Sequence, residues 1–455
     1  MVFSSVSFLF LFLPIFFLLN FIIPKIFRNI FILVSSLLFY YWGEGIYLNI
    51  LLIYIIINYI FGILIESNFR NNKLINSRII VTIGIILNLL ILLYYKYYDF
   101  ILNIFTSYQN IGIHLPIGIS FYTFQSISYL IDVYRREVNA EKNPLNFGMY
   151  IALFPQLIAG PIVRYIDISS EILNRNLSLD LFRQGIERFT IGLAKKVLIA
   201  NPLGSYADEV FSRDPNSLQS LGAWIGILAY TLQIYYDFSG YSDMAIGLGR
   251  MMGFHFLENF NYPYVSRSIK EFWRRWHISL SSWFRDYLYI PLGGNQKGNT
   301  RTFLNLLLVF MLCGLWHGAN YTFLFWGAWH GLFLVLERGG LDHFLEKRSN
   351  VIQWTYTLLV VSIGWVFFRA LNIEYGISYT LKMFSFEIDG DIIPMGKRTI
   401  LIFLFGLIFS YDWSNYYKII NKIGSLKSIF LIILFLLSIS NLAVSTYNPF
   451  IYFRF

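Results

Sequence analysis

Charge is scarce in this sequence. Only 13% of its 455 residues are Asp, Glu, Lys or Arg, about half of the roughly 25% usual in soluble domains. Apolar and aromatic residues make up 56%. A globule cannot hide that much apolar surface, because even a large domain leaves about a quarter of its chain's surface exposed. An ordinary cytosolic enzyme and a disordered tail are therefore excluded. Cysteine is nearly absent too: Cys313 stands alone in an apolar run, so one chain can build neither a disulfide nor a cysteine-based metal site. HExxH, GxSxG and P-loop patterns are missing. The histidines His114, His255, His277, His317, His330 and His343 fall at no metal-ligand spacing, so no metal is expected. No nucleic-acid-binding pattern accompanies the net charge of +9. What remains is an integral membrane protein, whose excess of Lys and Arg belongs first to cytoplasmic loops.

A span needs about 20 apolar residues, fewer or more with tilt. Candidates lie at 5–24, 29–43, 46–65, 79–95, 117–133, 147–162, 186–200, 220–250, 302–315, 320–336, 353–370, 398–411 and 427–446. Met1–Asn20 contains no Lys or Arg, so the basic start of a cleaved leader is missing and the first helix is expected to stay. Positive-inside logic puts Met1 outside and Lys25–Arg28, Arg70–Arg78 and Arg135–Arg136 in the cytoplasm. No internal repeat and no soluble segment stand out. The chain reads as a single membrane domain, 1–455.

Two stretches depart from plain lipid-facing helix. In Tyr230–Arg250, Gln233, Asp237 and Asp243 interrupt an apolar span. A charge at membrane depth costs at least about 2.5–3.5 kcal/mol, so both aspartates must face protein or water, most simply as partners of arginines. Asp237 and Tyr241 share a helix face, and Gly240 and Gly247 allow a neighbouring helix to approach. The second stretch, Asn259–Arg301, sets Arg267, Lys270, Arg274, Arg275, Arg285, Lys297 and Arg301 against Glu271 and Asp286. Basic and tryptophan-rich, it reads as an amphipathic segment in the headgroup plane, with Trp273 and His277 on one face at i, i+4. It is either an interfacial belt or a positive doorway for an anionic substrate.

His317 is the candidate for chemistry. It follows the apolar run Phe303–Leu315, and an imidazole of ordinary pKa near 6.5 suits proton removal at cytoplasmic pH. Gly314, Gly318 and Ala319 leave room beside it for a ligand or a crossing helix. A buried histidine bonded to a backbone carbonyl fits the same residues. His330, 13 residues on, is turned about 220° away unless the helix breaks near Gly318–Asn320.

Six segments carry a family resemblance: LPIGISFYTFQSISYLIDVYR (Leu115–Arg135), FPQLIAGPIVR (Phe154–Arg164), YYDFSGYSDMAIGLGRMMGF (Tyr235–Phe254), EFWRRWHISLSSWFRDYLYIPLGGN (Glu271–Asn295), LWHGANYTFLFWGAWHG (Leu315–Gly331) and GWVFFRA (Gly364–Ala370). They resemble the membrane-bound O-acyltransferase superfamily, in the branch that O-acetylates bacterial polysaccharides such as alginate. The motif-bearing core is 115–370.

The resemblance implies an all-α polytopic fold, about 11–13 transmembrane and re-entrant helices around a central tunnel, in the bacterial inner membrane. It implies that His317 matches the family's central histidine and acts as general base. His277 matches the second signature position and would polarise or orient the donor. The donor would be cytoplasmic acetyl-CoA, with no permanently bound cofactor. Arg274, Arg275, Trp273, Arg285 and Lys297 would meet it, guanidinium groups being suited to phosphate. The acetyl group would go to, or toward, an extracytoplasmic polysaccharide, through an SGNH-like partner acetyltransferase. Two alternatives stay open. One is D-alanyl transfer to teichoic acid from a carrier-protein thioester; the other is an ion-coupled transporter lined by Gln125, Asp132, Gln156, Asp237 and Asp243.

Overall fold

The computed structural model describes residues 3–106, 111–413, 424–444 and 447–449. Among them the chain is helical, with no β-structure beyond one isolated bridge between Leu218 and Asp391. The sequence-derived spans fall on helix, but two helices run well beyond them: 186–200 lies within continuous helix 179–211 and 79–95 within Leu74–Phe105. Residues 445 and 446, the end of the last span, lie outside the described residues. The exception is 147–162. There, helix Pro144–Ala152 stops at Leu153, a single turn Phe154–Leu157 follows, and the chain then leaves helical geometry. Pro155 and Gly160–Pro161 are the cause, since proline cannot donate into a helix interior. Among the described residues, five helical runs are long and apolar enough to cross a membrane: Lys25–Arg70, Leu74–Phe105, Gly298–His317, Asn350–Arg369 and Leu426–Val444. The protein is an all-α, multi-pass membrane protein.

The chain divides into two compact units. The first comprises Met1–Phe189 and Tyr241–Leu257. Its helices Leu48–Arg70 and Leu74–Leu92 are joined by their own polar groups: Asn58 and Asn88 exchange amide bonds at 2.8–2.9 Å, and the Tyr54 hydroxyl donates to the Asn88 carbonyl at 3.0 Å. In an apolar medium such groups must be satisfied by protein, so they turn inward. Phe8, Phe12, Phe16, Phe39 and Phe154 form an aromatic core beside them. Asp243 pairs with Arg188 at 2.6 Å, the arginine partner expected for it.

The second unit comprises Thr190–Gly240 and Glu258–Phe455. Here Asp237 pairs with Lys196, both nearly inaccessible (side chains 2% and 3% exposed), so its partner is a lysine and not an arginine. The same Lys196 also donates to the carbonyl of Pro449. Helix Gly298–His317 ends at Gly318, whose extended backbone breaks the chain direction. The Asn320 side chain then caps helix Tyr321–Leu336 by accepting from Thr322 N–H at 3.1 Å. The two helices form a tight hairpin because Gly314 lies against the Phe323 carbonyl and Gly327 against the Phe310 carbonyl.

Both glycines singled out between residues 230 and 250 work as close-approach points. A Cβ at Gly240 would lie 2.7 Å from the Gly192 carbonyl, and one at Gly247 would lie 2.6 Å from the Gly185 carbonyl. Backbone cannot step aside as a side chain can. Gly247→Ala is expected to cost about 1–3 kcal/mol, the usual range for overpacking, read as a lower unfolding midpoint in detergent. An unchanged midpoint would contradict this contact.

Candidate active site

The site candidates meet inside the second unit. The segment 259–261 runs alongside 275–278: Asn261 N–H donates to the Arg275 carbonyl and Ile278 N–H to the Asn259 carbonyl, each at 2.9 Å. This pairing bends the basic stretch sharply. Helix Ile269–Arg275 ends, Trp276 is extended, His277 adopts a left-handed conformation (φ 42°, ψ 56°), and helix Ile278–Phe284 begins. Trp273 and His277 are therefore not on one helix face; the expected i, i+4 pairing is broken by the turn between them. Nor do the tryptophans form an outward apolar face. Trp273, Trp276 and Trp283 are buried while Arg267, Lys270, Arg274, Arg285, Lys297 and Arg301 are exposed.

His277 is fully buried. Its Nδ1 faces Asn259 Oδ1 at 3.1 Å, and its ring packs edge-on against Phe238 at 4.6 Å between centroids. It sits between two short helices, outside the spans, where burial pushes its pKa down to about 3 and keeps the ring neutral. Trp316 bridges the two candidate histidines, 6.1 Å from His277 and 5.0 Å from His317 between ring centroids. His317 is 3% exposed. Its ring is walled by Trp316, Trp326 (5.1 Å) and Phe368 (5.2 Å). The space beside it that small residues leave is used by the crossing helix: the Phe323 ring packs onto Gly318.

His330 joins this cluster. The helix does break at Gly318, the condition under which the two rings need not point apart, and the hairpin sets His317 and His330 around one indole, with Trp326 5.2 Å from His330. Trp273 donates from Nε1 to Nδ1 of His330 at 3.4 Å. Helix Asn350–Arg369 can pass so close only because residue 364 is glycine; a Cβ there would lie 2.8 Å from His330 Nε2. Sequence reasoning also missed two supports. The buried Glu337 carboxylate accepts from the Ile269 and Lys270 N–H groups at 2.6 and 3.0 Å, holding the start of helix Ile269–Arg275. Asn259 is the other. Both act across long sequence separations, where no periodic signal exists.

The residues expected to meet the donor separate into groups. Arg274 and Lys297 are exposed. Arg285 is exposed and paired with Asp286 at 2.7 Å. Arg275 is held by Glu271 at 2.9 Å and by the Asn261 carbonyl at 3.2 Å. Trp273 points inward to His330. The polar residues of the transport alternative are largely engaged in structure: Gln125 donates to the Val163 carbonyl at 3.4 Å and Gln156 to the Tyr150 carbonyl at 2.6 Å, while Asp237 and Asp243 are ion-paired. Among the described residues no group of His, Cys, Asp and Glu is placed to hold a metal ion.

The fold and site thus define a multi-pass helical membrane protein with histidines buried among tryptophans. Residues 136–377 match the model of the membrane-bound O-acyltransferase family, and the chain belongs to that family. It is 43% identical to the "Probable alginate O-acetylase AlgI" of Pseudomonas putida over an alignment of 492 positions covering all of both chains. It is 37% identical to the "Peptidoglycan O-acetyltransferase" of Helicobacter pylori, over 82% of this chain and 78% of that one. Against the "Teichoic acid D-alanyltransferase" of Bacillus subtilis it is 30% identical, over 52% of this chain and 61% of that one. The chain is thus an O-acyltransferase of the polysaccharide O-acetylation branch.

Proposed function

We propose that this protein moves an acetyl group from cytoplasmic acetyl-CoA to, or toward, an extracytoplasmic polysaccharide, in a bacterial inner membrane. The observation that carries the reading is the buried aromatic cluster in which Trp316 lies between His277 and His317. In the proposed step, a ring nitrogen of His317 takes the proton of an acceptor hydroxyl. The hydroxyl oxygen attacks the thioester carbonyl carbon, the C–S bond breaks, and the CoA thiolate leaves to take up a proton. The tryptophan and phenylalanine walls exclude water, which protects the thioester from hydrolysis and strengthens polar contacts inside. The acceptor is an extracytoplasmic polysaccharide, reached directly or through an SGNH-like partner acetyltransferase.

Coverage favours acetylation over D-alanyl transfer: the match to an alginate O-acetylase is full-length, against a match over half of this chain to the D-alanyltransferase. Acetyl-CoA as donor is supported by the exposed cations Arg274 and Lys297 on the segment that carries His277. Reversing both charges, Arg274→Glu with Lys297→Glu, is expected to raise KM for acetyl-CoA severalfold, more at low salt, while kcat stays within about twofold; exposed charges act over a screening length of about 10 Å at 0.1 M salt. An unchanged KM would remove them from donor binding.

The reading as a whole is tested with purified protein in liposomes and labelled acetyl-CoA. Transfer to a hydroxylic acceptor, or slow thioester hydrolysis, is expected. Uptake of a solute without thioester turnover would overturn it in favour of a transporter.

A further inference from the structure

Asn259 lies in the NFNYPY segment, 18 residues before His277, and no motif assigns it a role. Its side chain is almost fully buried, 1% exposed. Asn259 Oδ1 faces three groups: the Ser279 backbone N–H at 3.2 Å, the Ser279 hydroxyl at 2.8 Å, and Nδ1 of His277 at 3.1 Å. A backbone N–H can only donate, so the amide atom it meets is the oxygen and not the nitrogen. An amide oxygen can only accept, so the imidazole nitrogen facing it must carry hydrogen. His277 is neutral in its buried setting and has one ring proton. With that proton on Nδ1, Nε2 keeps a lone pair.

The backbone is built around this contact. The two hydrogen bonds between 259–261 and 275–278 hold His277 in its left-handed conformation, which is strained for a non-glycine residue and persists only where the surroundings over-determine it. Strain of this kind, spent on aiming one imidazole, concentrates at functional sites.

We propose that Asn259 is a positioning residue of the transfer site: it locks His277 as the Nδ1–H tautomer, so that His277 meets substrate with Nε2 as an acceptor. This rests on the acyl-transfer reading above and decides between the two roles open to His277. A ring without hydrogen on Nε2 cannot polarise a thioester carbonyl by donation from that atom. It orients substrate instead, by accepting from an N–H or O–H group. The pantetheine arm of an acyl-CoA offers such a group, an amide N–H close to the thioester sulfur.

The experiment is 15N spectroscopy of histidine-labelled protein in nanodiscs, with His277→Gln identifying the resonances, run beside turnover of acetyl-CoA. The wild type is expected to show His277 protonated at Nδ1 and bare at Nε2. Asn259→Ala is expected to give mixed tautomers and a kcat lowered about 10–100-fold, the size of loss seen when the partner that orients a metal-bound histidine is removed. Asn259→Asp, which keeps the acceptor oxygen, should restore the tautomer and most of kcat. Hydrogen on Nε2 in the wild type would overturn the proposal. So would an Asn259→Ala protein with unchanged spectrum and kcat. A wild type that never turns over acetyl-CoA would sink the acyl-transfer reading, and the spectrum would still decide the tautomer.

Discussion

His317→Ala is expected to reduce acetyl transfer by about 10²–10⁴-fold, the contribution of a positioned general base, while leaving the protein folded. The ring is 3% exposed and touches Trp316, Trp326 and Phe368, so truncation also opens a cavity. That cost falls on the second unit's aromatic packing and shows as a lower unfolding midpoint. His317→Phe separates the two effects: it fills the space, has no ring nitrogen, and should be as inactive as alanine with a midpoint closer to the wild type. Wild-type transfer by His317→Phe would remove the imidazole from the chemistry. Gln at this position tests the same point from the other side, since it can hydrogen-bond but cannot take a proton near neutral pH.

The other large effect concerns folding. Lys196→Ala leaves the Asp237 carboxylate at a site where both side chains are at most 3% exposed. Removing one partner of a buried ion pair costs about 3–5 kcal/mol, because the remaining charge stays buried without its opposite number in the pair. That is a large share of the 5–15 kcal/mol that holds a typical domain together. Lys196→Ala should therefore unfold at a much lower temperature in detergent and yield little protein. The double change Lys196→Met with Asp237→Leu removes both charges and should recover most of the loss, since apolar replacements of a whole buried pair are often neutral or stabilising. A Lys196→Ala protein that melts like the wild type would show that the pair does not hold the unit together.

The fold was legible wherever the signal is local. Apolar runs interrupted by basic loops locate the helices, and Gly240 and Gly247 announced their close neighbours by spacing alone. What failed were the places where one residue redirects the chain. The span at 147–162 is apolar enough to pass as helix, and only Pro155 and Gly160–Pro161 warn that it is broken. Trp273 and His277 sit at helical spacing, but helix needs hydrogen bonds that the 259–261 segment diverts, and His277 takes a left-handed turn instead. The candidate site was half legible. His317 and His277 stood out by residue type and motif, and the structure brings them to either side of Trp316. His330 depended on a break at Gly318 that the sequence could only state as a condition. Asn259 and Glu337 act on residues 18 to 68 positions away, and nothing in a single sequence marks such pairings.

Transfer of the acetyl group from one side of the bilayer to the other is tested in sealed proteoliposomes. Labelled acetyl-CoA is added outside to protein inserted with its basic segment outward, and a hydroxylic polysaccharide is enclosed within, with the partner acetyltransferase where one is required. Free CoA is expected outside and labelled ester inside, both lost in His317→Phe. Label that stays on the outer side, or CoA that enters intact, would contradict it.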